Sequence, residues 1–244
     1  MNTLKEVFQS CTADEFHIYP PSQQFDKKLY ADFKKHMTQN LGEWQSNKKR
    51  FVFEFNANNL LTKLQNGETP NFRQDWHYFP TPKKVIEFMG NICIPTGCRI
   101  LEPSAGQGAI IEGINEMFPC PLNTWTIIEA HPLNQKKLQE KGFNVAHDDF
   151  ETYSPDTPFD IIYANPPFKK AFEHVQKMIE CTAKEGSIIV VLPSSFPSKY
   201  KQEIQGWEDM FEHIQIFPLP EGSFKESKTA VDTLILHFAY KKAI

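Results

Sequence analysis

The sequence predicts an α/β fold: a seven-stranded, doubly wound sheet carried by residues 76–244, preceded by a mainly helical extension over residues 1–75. Three observations lead to this reading. From about residue 80 onward, short apolar runs rich in β-branched residues alternate with amphipathic patterns of helical period. A glycine loop, Glu102-Pro103-Ser104-Ala105-Gly106-Gln107-Gly108, separates the first of these runs from a helical pattern that opens at Ala109. The run Phe159-Asp160-Ile161-Ile162-Tyr163-Ala164 has the character of a buried parallel strand, and Asn165-Pro166-Pro167-Phe168 stops it abruptly.

The extension is the least patterned part. Phe25, Leu29, Phe33 and Met37 recur every fourth residue among Lys27, Lys28, Lys34 and Lys35, which predicts an amphipathic helix with its apolar stripe in a core. Lys48-Lys49-Arg50 leads into Phe51-Val52-Phe53-Glu54-Phe55, whose alternation predicts a strand; the basic triplet is either a solvated face or a phosphate contact. Pro82 suits the first turn of a helix over 83–90, with Thr81 as its N-cap and Val85, Ile86 and Met89 on one face. Strands are then expected at 99–102, 125–129, 143–146, 159–164, 187–192, 213–217 and 233–238, and helices at 109–117, 132–141 and 171–183. That succession leaves no room for a second core after position 80.

Composition narrows the function classes. A net charge of −4 argues against a generally cationic nucleic-acid binder, so any such contact must come from a local basic patch. The five cysteines are odd in number and scattered, with no CxxC pair or His at ligand spacing, which predicts reduced thiols and no metal site. Residues 1–20 lack the apolar core of a leader, and no run reaches the roughly 18 apolar residues of a membrane span, so the expectation is a cytoplasmic protein without a membrane contact.

The candidate chemistry sits at strand ends. Two prolines after Asn165 push the residues before them into extended backbone, which makes the Asn165 amide and the Pro166 carbonyl preset acceptors beside the flat face of Phe168. Such a pair suits a planar amine, such as the exocyclic amine of a nucleobase; a structural turn with a packed Phe is the alternative. The glycine loop lets backbone pass close to a ligand at a helix N-terminus, yet it is neither GxGxxG nor a P-loop, so no dinucleotide or triphosphate is indicated. Glu102 would repel a pyrophosphate but could hold a cationic amine or backbone amides. Glu129, at the second strand's end, stands where a ribose diol would lie in a nucleotide-binding sheet, and Asp149 with Phe150 supplies an acceptor and an aromatic after the third.

Taken in order, Tyr78 to Pro82, the Glu102–Gly108 loop, Glu129, Asp149-Phe150 and Asn165-Pro166-Pro167-Phe168 resemble the S-adenosylmethionine-dependent N6-adenine methyltransferases of the amino-methyltransferase group, compact phage or mobile-element forms included. The resemblance covers about residues 78–240 and takes in Pro220-Glu221-Gly222-Ser223-Phe224, similar to that family's late loop. Ser227-Lys228-Thr229 departs from the family's usual Ser-Gly-Thr and adds a cation.

The resemblance implies a Rossmann-like class I methyltransferase sheet with S-adenosyl-L-methionine as cofactor. It assigns Thr81, Pro82 and the backbone of Glu102, Pro103, Ser104, Ala105, Gly106 and Gly108 to the methionine moiety, Glu129 with Ala130 to the ribose, and Asp149 with Phe150 to the cofactor's adenine. Asn165 and the Pro166 carbonyl would accept the target amine's two hydrogens, with Pro167 holding the turn and Phe168 stacking on a flipped base. Phe224 or Phe196 would cover the base's other face, and Lys199, Lys201, Lys225 and Lys228 could meet phosphates. No metal is needed. The loop between Asp149 and Asn165 is too short for a target-recognition domain, so specificity would come from residues 1–75, from short loops or from a protein partner. DNA is the expected substrate. Adenine N6 or guanine N2 in RNA, a glutamine side chain of a protein, and a catalytically silent nucleic-acid-binding module are the alternatives.

Overall fold

The computed structural model describes residues 3–72, 79–121, 124–225 and 231–240. The chain divides into two compact units, residues 1–78 and 79–244.

In the first unit, α1 (Leu4–Gln9), β1 (Thr12–Ala13), β2 (His17–Tyr19), α2 (Lys27–Gln39), β3 (Glu43–Gln45), β4 (Arg50–Val52) and α3 (Ala57–Gln65) follow one another. Helices hold more of its residues than strands do, but the four short strands form one antiparallel sheet in the order β1-β2-β4-β3. The expected stripe is the buried face of α2: Leu29, Phe33 and Met37 are buried, and Phe25 packs on the same core ahead of the helix. Asp26 caps that helix by accepting from the backbone N–H of Lys28 and Leu29, and Asn56 caps α3 in the same manner.

The second unit contains α4 (Lys83–Ile92), β5 (Ile100–Glu102), α5 (Ala109–Met117), β6 (Trp125–Ile127), α6 (Pro132–Glu140), β7 (Phe159–Ala164), α7 (Ala171–Cys181), β8 (Thr182–Pro193), α8 (Phe196–Lys199), α9 (Lys201–Trp207), β9 (Phe211–Pro218) and β10 (Thr233–Tyr240). Its six-stranded sheet has the order β6-β5-β7-β8-β10-β9. β5 is parallel to β6 and β7, β7 is parallel to β8, and β10 is antiparallel to β8 and β9. The seventh expected strand, at 143–146, is reduced to one parallel bridge between Ile128 and His147 at the sheet's edge. Two backbone bonds remain there, Ala146 N–H to the Ile127 carbonyl and Glu129 N–H to the His147 carbonyl.

Side-chain alternation along the central strands builds two cores. Ile161, Tyr163, Ile189, Val191 and Ile235 face α4 and α5, whereas Ile162, Ala164, Ile188, Val190, Leu192 and Leu236 face the layer of α7. β8 starts earlier than its apolar run, because residues 182–186 continue it past an irregularity in its pairing with β7 and through Glu185 at φ 70°. No helix among the described residues is long and apolar enough to cross a membrane.

Candidate active site

The chain leaves β5 toward β6 on one side and later places β7 on the other, so the order reverses at β5. At such a switch point the loops leaving neighbouring parallel strands diverge and open a crevice beyond the strands' carboxyl ends. Here those loops are the glycine loop after β5 and Asn165-Pro166-Pro167 after β7, with Glu129 following β6 alongside. Ser194, after β8, donates its N–H to the Asp232 carbonyl, which brings the start of β10 to the same edge.

The glycine loop is held by its backbone. Ala105 N–H donates to Ile128 O, Ile128 N–H to Glu102 O, and Gly108 N–H to Ala105 O. Gly106 and Gly108 take φ 55° and 87°, and Gly108 is the N-cap residue of α5. A Cβ at Gly108 would lie 2.9 Å from Leu138 Cδ2 and 3.3 Å from Phe143 Cε2, so the position needs glycine both for its conformation and for its space.

Glu102 is 1% exposed. Burial, and secondarily the nearby Glu129 carboxylate, push its carboxyl well above the ordinary range, against an opposing hydrogen bond from the Ile111 N–H. Its Oε2 and the Ser104 Oγ are buried without a hydrogen-bond partner. Two orphaned oxygens in a loop that closes on a helix N-terminus are what a bound polar group would satisfy.

Glu129 is fixed from several directions. Oε1 accepts from His131 N–H at 2.8 Å and from Asn134 Nδ2 at 3.2 Å, and Oε2 accepts from Gly106 N–H at 2.7 Å. Gln135 Nε2 donates to its carbonyl at 2.6 Å. Burial raises its pKa and these donors oppose the rise. The Gly106 bond ties the second strand's acid directly to the glycine loop. His131, Asn134 and Gln135 lie outside the expected site; the turn Glu129-Ala130-His131-Pro132, with Pro132 opening α6, is the signal that could have marked them.

Asn165 is half-buried, and its Nδ2 donates to the Phe79 carbonyl and to Thr81 Oγ1, each at 3.1 Å. Thr81 therefore does not cap α4 as expected. The N-cap position falls on Pro82, with no side-chain cap bond, and the threonine oxygen is turned toward Asn165 instead. Downstream, a short 3₁₀ turn (Phe168–Lys170) begins with Lys170 N–H donating to Pro167 O, one residue too late to engage Pro166 O. Asn165 Oδ1 and Pro166 O are thus left as neighbouring acceptors, with half-buried Phe168 next in the chain.

The remaining expected residues divide. Asp149 is exposed, with Oδ1 accepting from Glu151 N–H at 2.9 Å, and Ala130 is exposed. Phe150 is 3% exposed and sits 5.3 Å from the ring of buried His174, a neighbour that burial keeps from protonating at the usual pH. Phe196 and Phe224, the candidates for a base's second face, are each 2% exposed and belong to opposite cores, so neither offers an open ring. Lys199 and Lys225 are exposed, Lys199 with its Nζ 4.9 Å from the centre of the Tyr200 ring; Tyr78 and Lys228 lie outside the described residues. A groove of about 340 Å³ between α4 and α5, lined by Lys83, Ile86, Glu87, Asn91, Gly113, Glu116 and Met117, contains none of the expected site residues.

No family model and no curated protein matches the sequence. Solved structures do. The M protein of the type I restriction enzyme EcoKI aligns at TM-score 0.56 and 18% identity over 76% of this chain and 51% of its own. A putative class I S-adenosylmethionine-dependent methyltransferase from Listeria monocytogenes aligns at 0.55 and 14% over 88% and 74%. A modification subunit of a putative type I restriction enzyme from Vibrio vulnificus aligns at 0.53 and 19% over 91% and 55%. The chain thus spans about half the length of the two type I subunits. Alignments over 88% and 91% of this chain also reach further than residues 79–244 by themselves would allow. The shared feature is the class I Rossmann-like methyltransferase fold.

Proposed function

We propose that this chain transfers a methyl group from S-adenosyl-L-methionine to the exocyclic N6 amine of an adenine flipped out of DNA. The observation that carries the reading is the state of Asn165. Both hydrogens of its amide are spent on Phe79 O and Thr81 Oγ1, which leaves Oδ1 as the free acceptor end, in the residue next to the Pro166 carbonyl in the chain. Two acceptors on adjacent residues suit the two hydrogens of an amine.

The residues present fit the cofactor. The buried, unpartnered Glu102 Oε2 and Ser104 Oγ suit the ammonium end of a methionine moiety, Glu129 suits ribose hydroxyls, and exposed Asp149 retains a carboxylate oxygen for an adenine amine. When bound, S-adenosyl-L-methionine supplies a methyl group activated by its sulfonium, the sulfur keeping the electron pair of the broken C–S bond. The chain's part is to prepare the nucleophile. An aromatic amine is a poor one because its lone pair is delocalised into the ring. Asn165 Oδ1 and Pro166 O favour a pyramidal nitrogen and stabilise the positive charge it gains as its lone pair forms the new N–C bond. The surplus proton then leaves to water. Phe168 is the stacking face for the base, and buried Phe150 serves as a floor beneath the cofactor's adenine rather than as an open plate.

The choice of DNA is supported by the likeness to two type I modification subunits, and their being subunits supports a protein partner, or residues 1–75, as the source of target recognition. The RNA alternative is supported by a similar alignment, at TM-score 0.52 and 18% identity over 67% of this chain and 70% of its own, with the 23S rRNA methyltransferase ErmE. Replacing Asn165 by alanine tests the reading. Methyl transfer should be abolished while the cofactor Kd stays within about threefold, a change of less than 1 kcal/mol. Equal loss of cofactor binding, or retained transfer, would defeat the assigned role.

A further inference from the structure

The Asn165 amide is chemically ambiguous at its far end. Rotated by 180°, it would present an NH₂ group to the incoming amine, donor against donor, and the two-acceptor arrangement would be lost. Nothing within Asn165 itself prevents that rotation. The two groups behind it do. The Phe79 carbonyl is an acceptor only, so the amide end facing it must be nitrogen. Thr81 Oγ1, 3.1 Å from the same nitrogen, takes the second hydrogen, and at 7% exposure it has little water to compete for that role.

Sequence explains why this pair is in place. In Phe79-Pro80-Thr81-Pro82 each of the two contributing residues precedes a proline, which disfavours helical backbone at both and holds the strap extended. Asn165 likewise precedes Pro166. Two proline-stiffened segments, one leading into α4 and one leaving β7, are therefore joined through one side-chain amide. α4 starts after Pro82 and takes no cap bond from Thr81, which frees the threonine oxygen for this use.

We infer that Thr81, together with the Phe79 carbonyl, is a positioning element that fixes the Asn165 amide with Oδ1 toward the substrate amine, so Thr81 acts through Asn165 rather than as a contact to the cofactor. This rests on the proposed methyl transfer at Asn165, and it replaces the expectation that Thr81 holds the methionine moiety.

The test is a set of substitutions with two readouts. Thr81→Val keeps the shape and removes the acceptor. It should lower kcat about tenfold or more, equivalent to at least about 1.4 kcal/mol, with the cofactor Kd within about threefold; Thr81→Ser, which restores the oxygen, should recover most of the rate. The second readout needs no turnover. The Asn165 side-chain NH₂ pair, identified in ¹⁵N-correlation spectra by its absence from Asn165→Ala, should move upfield at one proton in Thr81→Val and return in Thr81→Ser. An unmoved NH₂ pair, or a raised cofactor Kd at unchanged kcat, would each overturn the inference. Shifted NH₂ resonances in a chain that methylates no nucleic acid would uphold the clamp and defeat the methyl-transfer reading, so the two can fail separately.

Discussion

At the scale of single residues, the candidate site contains two buried oxygens without a hydrogen-bond partner, Glu102 Oε2 and Ser104 Oγ. Glu102 is the extreme case, since its raised pKa makes the folded protein hold a proton that the unfolded chain releases at ordinary carboxyl pKa. Stability from this group is full below the unfolded pKa and is lost as pH rises through the folded one. Glu102→Gln should therefore raise the melting temperature of the cofactor-free protein at pH 8, with the gain shrinking toward pH 5, while weakening cofactor binding about tenfold or more. A variant no more stable than the parent at pH 8 would show that the carboxylate has a compensating partner. The places of Glu102, Glu129 and Asn165 at strand ends were legible because each is a polar residue ending an apolar run. The partners that aim them were not. Phe79 contributes a carbonyl, which any residue has, and Thr81 was equally suited to cap a helix; only the fold decides between a cap and a clamp.

At the scale of elements, short strands and tight turns separate what a sequence shows from what it hides. The central strands were readable because both faces are buried and their runs are continuous. The edge strand at 143–146 shrank to a bridge because an edge position is paired on one side only, and Phe143 is turned to packing near Gly108 and Leu138. The four strands of the first unit run two or three residues each, too short for a period of two to register, and only the run beginning at Phe51 announced one of them. The junction of β5 and α5 depends on Gly108 at φ 87° with a Cβ position 2.9 Å from Leu138. Gly108→Ala should lower stability by about 2 kcal/mol, read as the shift in urea midpoint at constant m. An unchanged midpoint would mean that the loop relaxes freely and does not depend on its left-handed turn.

At the scale of the whole molecule, the far side of the sheet carries a second pH dependence unrelated to the chemistry. His237 on β10 is 8% exposed, lies 5.4 Å from the His213 ring and 3.5 Å from Gln215 Oε1, and leaves Nε2 buried without a partner. Burial, then the charge of His213, lower its pKa from 6.5 to about 4. The unfolded chain takes up this proton first, so stability is present above the unfolded pKa and is lost as pH falls through about 4. The melting temperature should decline over that window, and His237→Gln should flatten the decline; an unaltered profile would assign the acid sensitivity elsewhere. Charge also bears on the proposed function at this scale, because at net charge −4 the proposed contact with DNA would run through local cations or a partner. The methylated product decides the proposed reaction. Labelled-methyl transfer from S-adenosyl-L-methionine onto unmethylated genomic DNA and onto total RNA, side by side and followed by nucleoside analysis, identifies it. The expected product is N6-methyladenine in DNA, absent with Asn165→Ala. Label confined to RNA or to protein, or label that survives the loss of Asn165, would contradict it.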